Sequence, residues 1–143
     1  MRVNFYEAVD DSLLKFAVII SRHEGKWVFC KHKERDTYEI PGGHREPGEH
    51  ISETAERELR EETGATSYCI QPVCIYSVTG SNRVNPSGNE TFGKLFFAEI
   101  RSFESVLCSE MEHVALFEEL PTAWTYPLIQ PLLVDEWIRR SNL

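Results

Sequence analysis

The sequence predicts an α+β domain, an α/β/α sandwich in which a mixed β-sheet lies between helices. Short β-branched and aromatic runs at residues 16–20, 27–32 and 95–100 predict strands. A stretch rich in Glu, Ala, Leu and Arg at residues 51–63 predicts a helix, and apolar residues at helical spacing after Pro127 predict another. Strands interleaved with helices bury both kinds of element when the helices cover the sheet, and this predicts the layered architecture.

The early part of the chain is predicted to form a β-hairpin followed by a turn. Residues 16–20 form a buried strand, residues 24–26 the hairpin turn and residues 27–32 the partner strand. The short extended piece at residues 38–40 runs into Pro-Gly-Gly at residues 41–43, which predicts a tight turn.

Glycine and proline positions predict where the middle helix ends and where the later strands and the last helix break or begin. Gly64, just past residue 63, predicts the C-terminal stop of the helix. Pro72 predicts a break or bulge in the following strand, and Pro131 delays the regular part of the helix that starts near Pro127. The remaining strands are predicted at residues 68–78, 95–100 and 114–117, with an exposed loop at residues 79–91.

Length and charge limit the classes of function. The chain has 143 residues, which predicts one domain over residues 1–143 with a core that needs no cross-links. Its formal net charge of −8 argues against binding to nucleic acid or to an anionic membrane surface. No membrane-span-like apolar run and no signal peptide are present in the sequence, so we expect a cytoplasmic protein. Divalent cations can still let an acidic protein bind a phosphorylated substrate.

The four cysteines predict neither a zinc site nor a disulfide framework. Cys30, Cys69, Cys74 and Cys108 form no CxxC pair. We therefore expect buried or partly buried free thiols in a reducing compartment.

Three glutamates of the middle helix predict a cation site. At helical spacing, Glu58, Glu61 and Glu62 share an arc of about 100°. Like charges on one helix face repel, and a hard divalent cation such as Mg²⁺ would relieve the repulsion. The backbone of Gly42 and Gly43 can approach such an ion closely because glycine has no side chain.

The other faces of this helix have different roles. Ala55 and Leu59 lie beside the carboxylate arc and can pack on the sheet, whereas Glu53, Glu56 and Arg60 face the opposite side and are expected in solvent. Taken alone, the stretch also fits a Glu-rich amphipathic helix at the protein surface.

The full spacing over residues 43–65 resembles the Nudix box: Gly, five residues, Glu, seven residues, Arg-Glu, an apolar residue, any residue, Glu-Glu, any residue, Gly and an apolar residue. The matching positions are Gly43, Glu49, Arg57, Glu58, Leu59, Glu61, Glu62, Gly64 and Ala65. Ala65 stands where a larger aliphatic residue is usual, which affects packing rather than chemistry. The Leu120-Pro121 pair and the order of strands also resemble the family.

The resemblance implies a Mg²⁺-dependent hydrolase, with Mn²⁺ as a substitute, that cuts a phosphoanhydride bond in a nucleoside diphosphate derivative. It implies that the Gly42 carbonyl and the carboxylates of Glu58 and Glu62 hold the metal. Glu61 is implied as a third metal-facing carboxylate, which acts as the base in some relatives. Arg57 is expected to orient a box glutamate, either Glu49 or Glu61.

Relatives often use a further glutamate from a later loop as metal ligand or base. Glu110 and Glu112 are the candidates, and Glu112 is preferred, although both also fit solvated loop charges.

The substrate contacts are expected outside the box. Lys31, Lys33 and Arg22 are candidates for the phosphates, although strand-end cations are commonly solvated. Tyr38, Phe97, Trp124 and Tyr126 are candidates for a slot that holds the base, although aromatic residues are commonly core. His44 and His50 are expected at the surface.

The sequence lacks the motifs that are typical of several subfamilies. No SQPWPFPxS-like segment follows the box, which disfavours NADH pyrophosphatases. ADP-ribose pyrophosphatases have a proline about 15 residues after the box, and here Pro72 comes too early and Pro86 too late. Dinucleoside polyphosphate hydrolases have a tyrosine at a fixed distance from the box, and residues 81–83, which stand there in this chain, include no tyrosine. By elimination we expect hydrolysis of a nucleoside triphosphate, including an oxidised guanine nucleotide, to monophosphate and pyrophosphate.

Several alternatives stay open. They are an ADP-ribose or other nucleoside diphosphate-X pyrophosphatase, a non-catalytic Nudix-fold nucleotide sensor, and an enzyme that removes caps from RNA 5′ ends. We expect a small-molecule nucleotide as the partner, no nucleic acid and no membrane, and a monomer or homodimer.

Overall fold

The computed structural model of the chain describes residues 1–82, 85–104 and 111–141, and only the backbone of residues 111–113. Its elements in order are β1 (Arg2–Tyr6), a 3₁₀ turn (Asp11–Leu13), β2 (Leu14–His23), β3 (Lys26–His32), β4 (Tyr38–Glu39), β5 (Gly42–His44), α1 (Ile51–Thr63), β6 (Ala65–Thr79), β7 (Thr91–Phe103), β8 (Met111–Phe117) and α2 (Gln130–Ser141). None of the helices described is long and apolar enough to cross a bilayer.

The strands form one mixed sheet. The order β1-β6-β7-β2-β3-β4 is extended by β5, which pairs with β2, and by β8, which pairs with β3. Strands β2 and β7 run parallel, and the other pairs among the described residues are antiparallel. The predicted hairpin is confirmed, because β2 and β3 pair across a turn in which Glu24 and Gly25 have positive φ.

Alternation along β2 divides the core into two layers. Ala17 and Ile19 pack in a cluster with Ala55 and Leu59 of α1. Their neighbours Val18 and Ile20 pack in a second cluster with α2. Because successive side chains of a strand point to opposite faces, each face of the sheet is covered by one helix. The predicted mixed sheet between helices is confirmed.

Gly42 and Gly43 lie in strand β5, so the predicted tight turn at residues 41–43 is wrong for the two glycines, and a bend remains at Pro41. Gly42 and Gly43 pair with Val18 and Ala17 in the first half of β2. A Cβ atom on Gly42 would lie 2.5 Å from the carbonyl oxygen of Ala17. Glycine is therefore required here for the close approach of two backbones, not for the sharp reversal of the chain that the sequence suggested.

Strand β6 contains the predicted irregularity. The register with β7 shifts between Pro72 and Cys74, which confirms the bulge near this proline. Cys30 and Cys74 are buried, whereas Cys69 is exposed. The expectation of a buried or partly buried thiol is wrong for Cys69, because its neighbours in β6 take the face that packs on the core. Cys108 lies outside the described residues.

Strand β1 was not predicted. It pairs with β6 over Arg2–Tyr6 at the edge of the sheet. Its pairing depends on the distant β6, so local sequence gives little signal for it.

Hydrogen bonds of backbone groups mark both ends of α1, and a proline marks the start of α2. At the start of α1, the backbone N–H of His50 donates to the Glu53 carboxylate at 2.8 Å. At its end, Gly64 has φ 75 and donates to the carbonyl of Arg60. The second helix begins at Gln130 rather than at residue 127, with Pro131 in its first turn, where backbone N–H groups lack helical partners. The predicted stop at Gly64 and the delay before α2 are confirmed.

Gly64→Ala should lower the free energy of unfolding by about 1 kcal/mol, because a Cβ atom disfavours the left-handed backbone at this position. Gly64→Asn should cost less, since asparagine tolerates that conformation. Urea unfolding measures both variants, with the exposed helix substitution Ser52→Ala as the control. Equal stability of the Gly64→Ala variant and the parent protein would contradict this account of the helix end.

Candidate active site

An open cleft of about 800 Å³ is lined by residues from α1, from β5 and from the start of α2. Its lining combines acidic, apolar and amide side chains with the glycines of β5. The lining residues are Phe16, Val18, His32, Arg35, Glu39, Ile40, Gly42, Gly43, His44, Glu58, Glu61, Glu62, Tyr76, Val78, Asn82, Asn85, Thr91, Tyr126, Ile129, Gln130 and Leu133.

Strand β5 lies directly against the carboxylates of α1. The backbone N–H of Gly42 donates to Oε1 of Glu62 at 2.7 Å. A Cβ atom on Gly43 would lie 2.4–2.6 Å from the carboxylate atoms of Glu58. Any other residue at Gly43 would therefore displace Glu58 or part the strand from the helix.

Arg57 holds several carboxylates of the site together. Its Nε donates to Glu49 Oε2 at 2.6 Å, and its Nη1 donates to Glu58 Oε1 at 2.8 Å. The contact from Nη1 to Glu61 is longer, at 3.4 Å, and Glu46 lies 2.9 Å from Nε. Of the two partners expected for Arg57, Glu49 is the close one. These hydrogen bonds lower the pKa of Glu49 to about 2 and raise the pKa of Arg57.

Two carboxylates remain poorly compensated. Loss of solvent raises the pKa of Glu58, and the nearby charges of Glu61 and Glu49 add to the shift against the opposing effect of Arg57. Loss of solvent also raises the pKa of Glu62 well above its usual range, with a contribution from Glu58 and against the hydrogen bond from Gly42. A positive charge placed between Glu58 and Glu62 would therefore be strongly favoured.

The donor chemistry of this pair fits a hard divalent cation. Glu58 and Glu62 offer oxygen atoms, and Mg²⁺ is commonly bound by one or two carboxylates together with water and phosphate oxygens. In the part of the chain whose side chains are described, no three His, Cys, Asp or Glu side chains converge as a finished ligand set. The side chain of Glu61 is 54% exposed and lies toward Arg57, so it would have to turn to join the other two.

The cations expected to bind phosphate do not line the cleft. Arg22 lies at the hairpin end of β2, where its guanidinium stacks on Trp27 at 4.5 Å. Lys31 and Lys33 are also outside the lining, and Lys33 is exposed. The cleft instead contains Arg35, from the segment between β3 and β4, which no sequence pattern had indicated.

The aromatic residues expected to form the base slot are mostly core. Tyr38 packs on Phe117, outside the cleft lining. Phe97 and Trp124 also pack against aromatic rings, those of Trp137 and Phe29. Tyr126 is the one of the four candidates that lines the cleft.

Other lining residues had no clear sequence signal. Phe16, Tyr76 and Gln130 come from β2, β6 and α2, far apart in sequence. Glu39 could have been found, because it stands three residues before Gly42. His44 and His50 are exposed, as expected, and His44 packs on Phe16 at the cleft edge.

Glu110 lies outside the described residues. Glu112 belongs to β8, where only its backbone is described.

The chain was compared with protein-family models, with characterised proteins and with solved structures. The model of the NUDIX domain matches residues 12–127. YtkD of Bacillus subtilis (strain 168), named provisionally as an 8-oxo-dGTP diphosphatase, is 36% identical over 108 residues. The aligned part is 75% of this chain and 64% of that relative, so this chain spans less than two thirds of the relative's length.

Solved structures give the same fold. The pyrophosphohydrolase BsRppH of Bacillus subtilis, in a mutant form, has a TM-score of 0.76 at 26% identity and covers 97% of this chain and 91% of its own. A NUDIX hydrolase from Nitrosomonas europaea has a TM-score of 0.69 at 22% identity, with 89% of this chain and 90% of its own covered.

Glu62→Gln should stabilise the metal-free protein at pH 7, because the amide is uncharged and can still accept from Gly42. The pKa of Glu62 is raised in the fold, so its ionised form weakens folding above that raised value. As the pH falls toward the usual pKa of glutamate, the carboxyl takes up its proton and the penalty disappears. The gap between variant and parent should therefore close on acidification.

Urea unfolding in a chelator at pH 7 and pH 5 measures this gap. Glu99→Gln, at an exposed position of β7, is the control. A Glu62→Gln variant less stable than the parent at pH 7 would rule out the proposed charge strain.

Proposed function

The chain belongs to the NUDIX family of hydrolases, which generally require a divalent cation, and from that premise we propose that it hydrolyses a nucleoside triphosphate to the monophosphate and pyrophosphate with Mg²⁺. Mn²⁺ is proposed as a substitute. The observation that carries this proposal is the contact of both glycines of β5 with Glu62 and Glu58, which joins the whole box into one wall of the cleft.

The substrate proposal also draws on the relatives. YtkD carries the name of an 8-oxo-dGTP diphosphatase, and BsRppH is a pyrophosphohydrolase. An oxidised guanine nucleotide is accordingly the first substrate to test. A cytoplasmic location and a monomeric or homodimeric state are proposed from the sequence alone.

The residues of the box have different proposed roles in binding the cation. Glu58 and Glu62, together with the Gly42 carbonyl, are proposed to hold the cation next to the diphosphate. When bound, the cation supplies Lewis acidity toward phosphate oxygens and water. Arg57 keeps Glu58 in place through its 2.8 Å hydrogen bond and is itself anchored by Glu49. A rigid Arg57–Glu49 pair therefore positions the carboxylate without contacting substrate.

Glu61 is proposed to take the proton of the attacking water. Its side chain is the more exposed and loosely held of the box carboxylates, with a 3.4 Å contact to Arg57. The water oxygen bonds to phosphorus, the bond from phosphorus to the bridging oxygen breaks, and the released phosphate group carries away the electron pair. Glu61 accepts that proton as a carboxylate.

A Nudix-fold sensor without turnover is the alternative from another class. The intact set of Glu58, Glu61 and Glu62, with Arg57 bonded among them, favours catalysis over sensing alone. A nucleotide panel that scores phosphate and pyrophosphate separately tests both this alternative and the nucleoside diphosphate-X alternative.

Glu61→Gln and Glu62→Gln should each lower kcat by about 10³-fold, because each removes a charge that the transition state requires. Glu53→Gln changes the same helix on its outer face and should retain activity. Removal of divalent cations should abolish turnover, and Mg²⁺ or Mn²⁺ should restore it. A loss of tenfold or less in both site variants would exclude the assigned roles, and no turnover of any nucleotide with metal would exclude the proposed function.

A further inference from the structure

One end of the cleft is built by two chain segments that are tied together. The backbone N–H of Tyr38 donates to the carbonyl of Ala123 at 2.8 Å, and that of Thr125 donates to the carbonyl of Tyr38 at 2.9 Å. The backbone N–H of Ile40 donates to Oε1 of Gln130 at 2.8 Å. These bonds fix strand β4, and with it Glu39, beside the start of α2.

The walls at this end suit a flat aromatic ligand. Ile40, Ile129 and Leu133 provide apolar surface, and Tyr126 provides an aromatic ring. Ligand sites commonly combine such walls with a few fixed polar groups that set orientation. A nucleobase fits this end, because the proposed function assigns the phosphates to the carboxylates of α1 and the glycines of β5.

Two kinds of polar group face the same end. Gln130 is 6% exposed, and because its oxygen accepts from Ile40, its amide nitrogen is left as a donor. Glu39 has a side chain that is 13% exposed, and its Oε1 accepts from Nη1 of Arg35 at 3.1 Å. No hydrogen bond to its second oxygen is formed within the described part of the chain.

At this end of the cleft Glu39 offers hydrogen-bond acceptors, whereas Gln130 and Arg35 offer hydrogen-bond donors. The pairing edge of guanine carries an acceptor, O6, next to two donors, N1–H and the 2-amino group. Adenine carries a lone pair at N1, which a carboxylate would repel. Specificity commonly combines such a favourable match with a repulsive mismatch.

We propose that Glu39 selects guanine by accepting hydrogen bonds from N1–H and the 2-amino group, while Gln130 and Arg35 donate to O6. This inference rests on the proposed function and names its base. Oxidation at C8 leaves the pairing edge of guanine unchanged. Glu39 therefore accepts guanine and 8-oxoguanine alike and rejects adenine.

A purely structural role for Glu39 makes a different prediction. If the carboxylate only balances Arg35, its replacement affects every nucleotide to the same degree. A change in the ratio between two substrates that differ only in the 2-amino group separates the two roles.

The test compares dGTP with dITP, which lacks the 2-amino group, in the parent protein and in Glu39→Gln. The parent should favour dGTP in kcat/KM by roughly 10- to 100-fold, because a hydrogen bond to a buried charged group is lost with dITP. In Glu39→Gln the preference should fall to about threefold or less. Calorimetric binding of dGMP and dIMP should give the same pattern without turnover.

Glu136→Gln is the matched control, because Glu136 is also an arginine-paired carboxylate but lies on α2 outside the cleft lining. It should keep the parent's preference. If Glu39→Gln does not fold, Glu39→Asp retains the charge and withdraws the carboxylate, and it must reduce the preference too.

An equal dGTP-to-dITP ratio in the parent and the Glu39 variant overturns the inference, as does a parent with no preference. Either result, obtained with an active protein, leaves the proposed function intact. Absence of nucleotide hydrolysis by the parent overturns the proposed function instead.

Discussion

The close approach of a two-glycine strand to a carboxylate-bearing helix is the constraint on which the site depends. Gly42 donates its N–H to Glu62, and Gly43 leaves the room that the carboxylate of Glu58 fills. Both contacts require that β5 pair with the first half of β2, since that pairing fixes how far the glycines lie from α1. Packing of Leu59 and its neighbours on the sheet sets the other side of the same distance.

The close approach of β5 and α1 buries two neighbouring carboxylates whose negative charges are unfavourable without a cation. Glu58 and Glu62 lose solvent where they lie, and loss of solvent raises the pKa of each. Arg57 compensates Glu49 and part of Glu58, but among the residues that the structure describes Glu62 accepts a side-chain hydrogen bond from Gly42 alone. The fold therefore places unfavourable negative charge at one wall of the cleft, and a hard cation with an anionic substrate would relieve it. The charges that the proposed function requires should therefore lower the stability of the metal-free protein at this wall.

Much of the fold could be predicted from local patterns, and so could the box. The helix over Ile51–Thr63 follows from residue types with high helix propensity and from Gly64 at its end. The extended backbone of Gly42 and Gly43 could not be predicted, because Pro-Gly-Gly favours a turn locally and the strand conformation of the two glycines depends on their pairing with β2. The cleft walls depend on tertiary placement, because Gln130 accepts a hydrogen bond from the backbone of Ile40, 90 residues away in the sequence.

Divalent-cation affinity of Gly43→Ala tests the central claim most directly. A Cβ atom at this position collides with Glu58 and should weaken Mn²⁺ binding, measured by titration calorimetry with nucleotide present, by roughly tenfold or more. Circular dichroism and urea unfolding establish that the variant is folded. A folded Gly43→Ala variant that binds Mn²⁺ as tightly as the parent would contradict the view that the glycine strand builds the cation site.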